Sequence, residues 1–366
     1  MSDLATSSWF LVLAGLLAGV VMGFAARANH FCTMSALERH WYAADSRGLR
    51  TWMLAAAVAL AATQGLQALG IVDTTSSFYI RSDFAFIGAI GGGIAFGFGM
   101  ALVGTCGFGA LVRLGGGSLR SLIVLIVLGL AAMSAQKGLI AQARVVLSDN
   151  QAIDLSAVGG QSLGAIASHW AGADISLAVA AAVTLVLLAW IFSSRRYRGE
   201  WGLIAAGAVI GLVVAFGWWA TSFASRHSFD VVQIEAGSFV VPVADTLLHA
   251  IIFTGVVPDY GVGLVVGVVV GAAACALRRR DIRWEACDDA RELGRHLAGG
   301  VLMGVGGVFA LGCTIGQGVT AVSALAISAP LVIASIFLGA RMGLAYLIEG
   351  SPLEAFRGLS SRQPAE

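Results

Sequence analysis

Long apolar runs separated by short polar connectors occupy nearly the whole chain. The runs are Trp9–Ala26, Thr51–Val72, Phe84–Val103, Leu119–Gln136, Ile175–Ser193, Trp201–Thr221, Tyr260–Leu277, Leu297–Leu311 and Ala324–Ile348. Each approaches the length of about 20 residues that a helix needs to cross a bilayer. The pattern predicts an all-α polytopic membrane protein, a single transmembrane domain over 1–366, with about nine transmembrane helices. A tenth apolar piece, Thr246–Val257, lies between Pro242 and Pro258. It is too short to cross and reads as an interfacial or re-entrant segment. The opening MSDLATSS lacks the basic stretch of a secretory leader, so Trp9–Ala26 reads as a retained span.

Composition agrees. The chain is 58% hydrophobic and 12% charged, with mean hydropathy +0.86. A soluble domain carries about 25% charged residues. The net charge of +1 leaves no basic field for nucleic acid. Lys and Arg are nevertheless placed asymmetrically. With nine spans and the N-terminus outside, the inner connectors hold RRYR at 195–198, RRRDIR at 278–283 and most other arginines; the outer ones hold only Arg81, Lys137, Arg144 and Arg226. A bias of this kind orients helical membrane proteins. It puts the N-terminus outside and the C-terminus in the cytoplasm.

Two stretches match without gaps at an offset of 207 residues, Gly92–Gly109 (GGIAFGFGMALVGTCGFG) and Gly299–Gly316 (GGVLMGVGGVFALGCTIG). Five glycines and the pair Cys106/Cys313 coincide. A weaker match at offset 192 pairs the first spans of each half and sets Phe31 on Phe223 and Cys32 on Ala224. The chain then reads as repeat 1, about 9–138, a connecting helix at about 174–193, and repeat 2, about 201–348. One connecting helix is an odd number, so the second repeat inserts upside down. Inverted repeats are a recurring transporter design.

The candidate chemistry sits in glycine-rich breaks. Residues 297–340 carry no charge, yet Gly312, Gly316 and Gly318 interrupt them beside Cys313. Residues 84–112 behave alike, with Gly104, Gly107 and Gly109 around Cys106. Non-helical backbone at membrane depth must be buried in protein or line a wet cavity. Helix ends freed there present N–H groups that favour anions. Cys32 lies in ANHFCTMSALERHW, read as a re-entrant half helix from the inner side. A thiol is a soft, weak S–H donor, suited to an anion with a soft terminal sulfur that must leave as well as enter. Thr105, Thr314 and Gln317 offer polar contacts beside the breaks, and Gly107 and Gly316 open the backbone. Phe31, Phe108 and Phe223 are candidate constrictions, and His30, Arg113 and Arg341 are weaker candidates. Cys275 and Cys287 read as incidental. No CxxC pair occurs among the five cysteines, which counts against a membrane thiol oxidoreductase. A Cu(I)-type transporter would also use three thiols, but the eight methionines are scattered.

HFCTMSA, GTCGFGALVRLGGGSLRSL and GCTIGQG together resemble the YeeE/YedE family of sulfur-transport membrane proteins, over nearly the whole chain. The resemblance implies inverted repeats, short re-entrant helices and a central path of cysteines, matched here by Cys32, Cys106 and Cys313. It implies inner-membrane uptake of thiosulfate or a related sulfur or selenium species, no enzymatic step and no cofactor. A small cytoplasmic TusA-like sulfurtransferase is the partner it implies.

Overall fold

The computed structural model describes residues 9–156, 160–228, 232–254, 257–287, 289–352 and 355. Helices occupy all nine predicted spans: α1 (Trp9–Ala28), α3 (Arg47–Ala68), α4 (Phe86–Val103), α6 (Leu119–Lys137), α9 (Ser176–Phe192), α10 (Trp201–His227), α12 (Tyr260–Arg279), α13 (Ala290–Phe309) and α14 (Ser328–Glu349). By length and apolarity, six helical stretches among the described residues suffice to cross a membrane. They contain α1, α4, α6, α10, α12 and α14. The remaining three fall short: α9 in length, α13 because it begins in charged sequence, and α3 because Thr63, Gln64 and Gln67 dilute its apolar run.

Shorter helices fill the connections: α2 (Thr33–Tyr42), α5 (Gly107–Gly115), α7 (Leu139–Leu147), α8 (Leu163–Ala171) and α11 (Val241–Ile251). The predicted segment 246–257 is thus helical earlier than expected. Pro242 stands in the first turn of α11 and starts the helix instead of preceding it, since a proline there forfeits no hydrogen bond. The only two-stranded sheet among the described residues joins β1 (Asp83–Phe84) to β2 (Ile153–Asp154), antiparallel, with Asp83 opposite Asp154.

The helices are inside-out relative to a soluble bundle. On α1 the small residues Ala14, Gly15, Ala18, Gly19 and Gly23 are buried, whereas Trp9, Leu13, Leu17, Val21 and Phe24 are exposed. The large apolar surface on the outside is what lipid solvates, and small residues inside let backbones meet. The α1–α12 seam takes this furthest. A side chain on Gly15, Gly19 or Gly23 would clash with the carbonyls of Tyr260, Leu264 and Val268. Reciprocally, one on Gly263, Gly267 or Gly271 would clash with those of Val12, Leu16 and Val20. Spaced every four residues on both helices, the glycines bring one face of each into backbone contact.

The principal packing partners are α1 with α12, α10 with α3, α4 with α14, and α13 with α6; α4 also packs on α13 and α1 on α10. The short helices join the same scheme, α2 against α3 and α11 against α12.

Candidate functional site

In the first break α4 ends at Val103, and Gly104 caps it in the left-handed conformation (φ 75°). Glycine adopts that conformation without strain. The chain runs on through Thr105 to Cys106, whose extended backbone (φ −87°, ψ 174°) makes it the N-cap of α5. The Gly109 amide donates to the Cys106 sulfur at 3.5 Å. In the second break α13 ends at Phe309, and the chain turns through Leu311 (φ 55°) and Gly312 (φ 155°) to Cys313. There the Gly316 amide donates to the Cys313 sulfur at 3.3 Å. Helix then resumes, widened to a π-helix over Gly316–Ala321. Cys32 is likewise an extended N-cap, of α2 (φ −150°, ψ 126°). All three thiols therefore sit at the starts of short helices, where amides point outward and negative charge is favoured.

Side chains tie the three starts together. The Cys32 sulfur lies 3.8 Å from the Thr105 hydroxyl. Thr33 donates to the Thr314 hydroxyl at 3.3 Å, and Thr314 in turn lies against the Cys106 sulfur. A Cβ on Gly107 would reach the Phe239 carbonyl at 3.4 Å. Gln317 acts as a strut: its Nε2 donates to the Ala310 and Leu311 carbonyls at 2.9 and 3.1 Å, satisfying acceptors freed at the end of α13. Its Oε1 is buried without a hydrogen bond from any described residue. Such an atom carries a penalty of about 1–3 kcal/mol that a bound donor would relieve.

Cys106 and Cys313 are each 1% exposed, whereas Cys32 is half-buried. A cavity of about 220 Å³ ends on Cys32, lined among others by Arg27, His30, Arg39, Thr105 and Arg113. Arg27 is held by Asp281 at 3.1 Å, and Arg113 donates to the Gly104 carbonyl at 2.9 Å, bracing the first break. His30, with φ 51°, turns the chain out of α1. Phe108 is buried, its ring centroid 6.3 Å from that of Phe31 and 4.9 Å from that of Phe239.

Two expectations need correction. Phe223 does not pair with Phe31 or Phe108; it stacks on Trp219 at 5.7 Å. Nor do Phe223 and Ala224 stand where Phe31 and Cys32 do, because α10 runs unbroken from Trp201 to His227. The residues leading into the short helix of the second half are Phe239 and Val240. The weaker candidate Arg341 donates from Nε to the Ala355 carbonyl at 3.0 Å, and its guanidinium lies 5.7 Å from the Trp41 ring centre. Cys275 lies buried within α12, and Cys287 lies in the α12–α13 connection.

Sequence reasoning missed the buried segment Ile234–Val240, with Glu235, Ser238 and Phe239 inside the bundle, and Tyr79, 2% exposed. No local pattern marks them, because their neighbours come from distant parts of the chain. Among the described residues no three His, Cys, Asp or Glu side chains are grouped to hold a metal ion.

Comparison with known proteins agrees with this architecture. The chain is 26% identical over 329 residues to the thiosulfate transporter TsuA of Escherichia coli (strain K12), covering 84% of this chain and 86% of that protein. It is 24% identical over 340 residues to the thiosulfate transporter TsuA of Spirochaeta thermophila, covering 89% and 96%. The pattern of the family described as Sulphur transport matches residues 28–342. A multi-pass helical chain with glycine-broken helices, matched to that pattern over most of its length, belongs to the sulphur-transport (YeeE/YedE) family.

Proposed function

We propose that this protein takes up thiosulfate, or a related small sulfur-containing anion, across the bacterial inner membrane along a path of three thiols, Cys313, Cys106 and Cys32. The observation that carries the reading is that the three cysteines head three short helices whose first residues meet through Thr105, Thr314 and Thr33. The relatives named as thiosulfate transporters supply the substrate class. Thiols pass weak S–H hydrogen bonds to the anion's terminal sulfur, and the helix N-termini offset its charge. Weak, successive contacts let the anion leave each station. Gly107 and Gly316 keep the backbone close to the path, and Gln317 holds the second break open. No bond is made or broken, so the protein acts as a carrier, not an enzyme.

Arginine placement supports an N-terminus outside and a cytoplasmic C-terminus, which puts the Cys32 mouth on the inner side. The packing scheme supports the inverted repeat. Exchanging α1, α3, α4 and α6 for α10, α12, α13 and α14 converts the α1–α12 contact into α10–α3 and the α4–α14 contact into α13–α6. A cytoplasmic TusA-like sulfurtransferase receiving the anion at the arginine-lined mouth completes the proposal. A Cu(I) path has no support from the grouping of potential ligands among the described residues.

The test is uptake of radiolabelled thiosulfate into liposomes containing the purified protein. Replacing Cys106 or Cys313 by Ala is expected to abolish uptake while the protein remains folded. Wild-type uptake by both variants would refute the path.

A further inference from the structure

A further residue of the first half reaches the second break. Tyr79 stands in a short 3-10 turn, Phe78–Ile80, between α3 and α4. Its ring is fixed by Phe78 at 4.0 Å and by Trp218 at 6.4 Å between centroids. Its hydroxyl is buried, beside that of Ser238, without a well-formed hydrogen bond to any described residue. Other polar groups of the same region are paired, though Gln317 Oε1 and Trp52 Nε1 have no described partner. Trp218 donates to Ser323 at 2.9 Å, Ser323 to the Thr320 carbonyl at 2.6 Å, and Thr320 to the Gly237 carbonyl at 2.6 Å. Buried hydroxyls are usually paired, so one left unpaired beside the second break is a candidate donor to a ligand.

The place it faces is Gly316. A methyl group on Gly316 would come within 2.8 Å of the Tyr79 hydroxyl and 3.1 Å of the Ser238 hydroxyl. The amide of the same residue contacts the Cys313 sulfur at 3.3 Å. Two hydroxyls from separate segments thus converge on a bare backbone next to a path thiol, where the helix widens to π geometry. Such widenings recur at functional sites.

We propose that Tyr79 and Ser238 form an oxyanion-recognition site at the Cys313 station. They donate to the oxygens of a sulfonate-type group while Cys313 meets its terminal sulfur. This rests on the thiol path proposed above and adds to it a two-ended test of the substrate. An anion without a soft sulfur fails at the thiol, and one without oxygens fails at the hydroxyls.

Thiosulfate uptake kinetics in liposomes decide the matter. Tyr79→Phe removes one oxygen atom and keeps the ring; its KM is expected to rise about tenfold, the worth of one buried hydrogen bond, with Vmax retained. Ser238→Ala is expected to move KM in the same direction. An unchanged KM for Tyr79→Phe overturns the proposal, as does a fall in Vmax with KM unmoved, which marks a purely structural or gating role. Should Tyr79→Phe fail to fold, Ser238→Ala decides alone: a raised KM supports the site and an unchanged one overturns it. Cys313→Ala, run alongside, separates the two ideas. Its wild-type uptake would remove the Cys313 station on which the site rests, whereas its inactivity together with an unaltered Tyr79→Phe would sink only the oxyanion site.

Discussion

The two cysteine breaks share a sequence pattern and differ in how they are finished. At Cys106 a left-handed glycine turns the chain directly into an ordinary α-helix, α5. At Cys313 two consecutive residues take positive φ, the following helix widens, and Gln317 reaches back to hold the carbonyls left behind. The first break is closed by packing, with Phe108 laid between Phe31 and Phe239. The second keeps a buried hydroxyl and an amide oxygen without described partners. The same motif is thus sealed by aromatic packing in one half and left with unpaired polar atoms in the other.

The largest expected effect tests whether both breaks are needed in series. Cys106→Ala and Cys313→Ala should each lower thiosulfate uptake at least about tenfold, the loss of one hydrogen bond in a buried site. If only one does so, the stations are not on one route. A smaller and asymmetric effect comes from the glycines. Gly316→Ala places its methyl against Tyr79 and Ser238 and should lower stability by about 1–3 kcal/mol and suppress uptake. Gly107→Ala finds its nearest neighbour at 3.4 Å and should be tolerated within about 1 kcal/mol. Thermal unfolding in detergent, read beside uptake, checks both. Equal damage at the two positions would erase the distinction drawn between the breaks.

Accessibility sharpens it further. In a Cys287→Ser background, a small maleimide should label half-buried Cys32 at least about tenfold faster than Cys106 or Cys313, since reaction needs an exposed thiolate. Mass spectrometry of peptides reads the rates. The smallest effect lies at the polar rim. The hydrogen bond from the Arg47 side chain holds the Asp45 carboxyl below its ordinary range. A lowered folded-state pKa stabilises the fold above the unfolded carboxylate value, and that contribution disappears as pH falls through the folded one. Asp45 is partly exposed and Arg47 more so, so Asp45→Asn should lose at most about 0.5 kcal/mol at neutral pH and nothing in strong acid. Melting curves across pH show this, and uptake at neutral pH should not follow it.

The spans were legible because lipid demands long apolar runs, and both breaks because glycine and cysteine recur at one spacing in each half. The equivalence of Cys32 with Ala224 was misread for a physical reason. Similar apolar helices align at many registers, and nothing local in α10 announces that it continues past Phe223. Tyr79, Ser238 and Phe239 were invisible since a residue's place in the site depends on which distant segment it meets. Short helices such as α11 were found but misbounded, because proline marks the first turn as readily as the approach to it.

The glycine seam between α1 and α12 has a mechanical meaning. Carbonyls of each helix press into the bare positions of the other along three successive turns, so sliding either helix by one residue would drive side chains into backbone. A seam built this way works as a keyed joint, and a bundle framed by it resists rocking as two hinged halves. On the proposed thiol path, the motion that passage requires would then fall to the cysteine breaks and the aromatic rings beside them. A covalent cross-link joining α1 to α12 across this seam should therefore leave uptake intact.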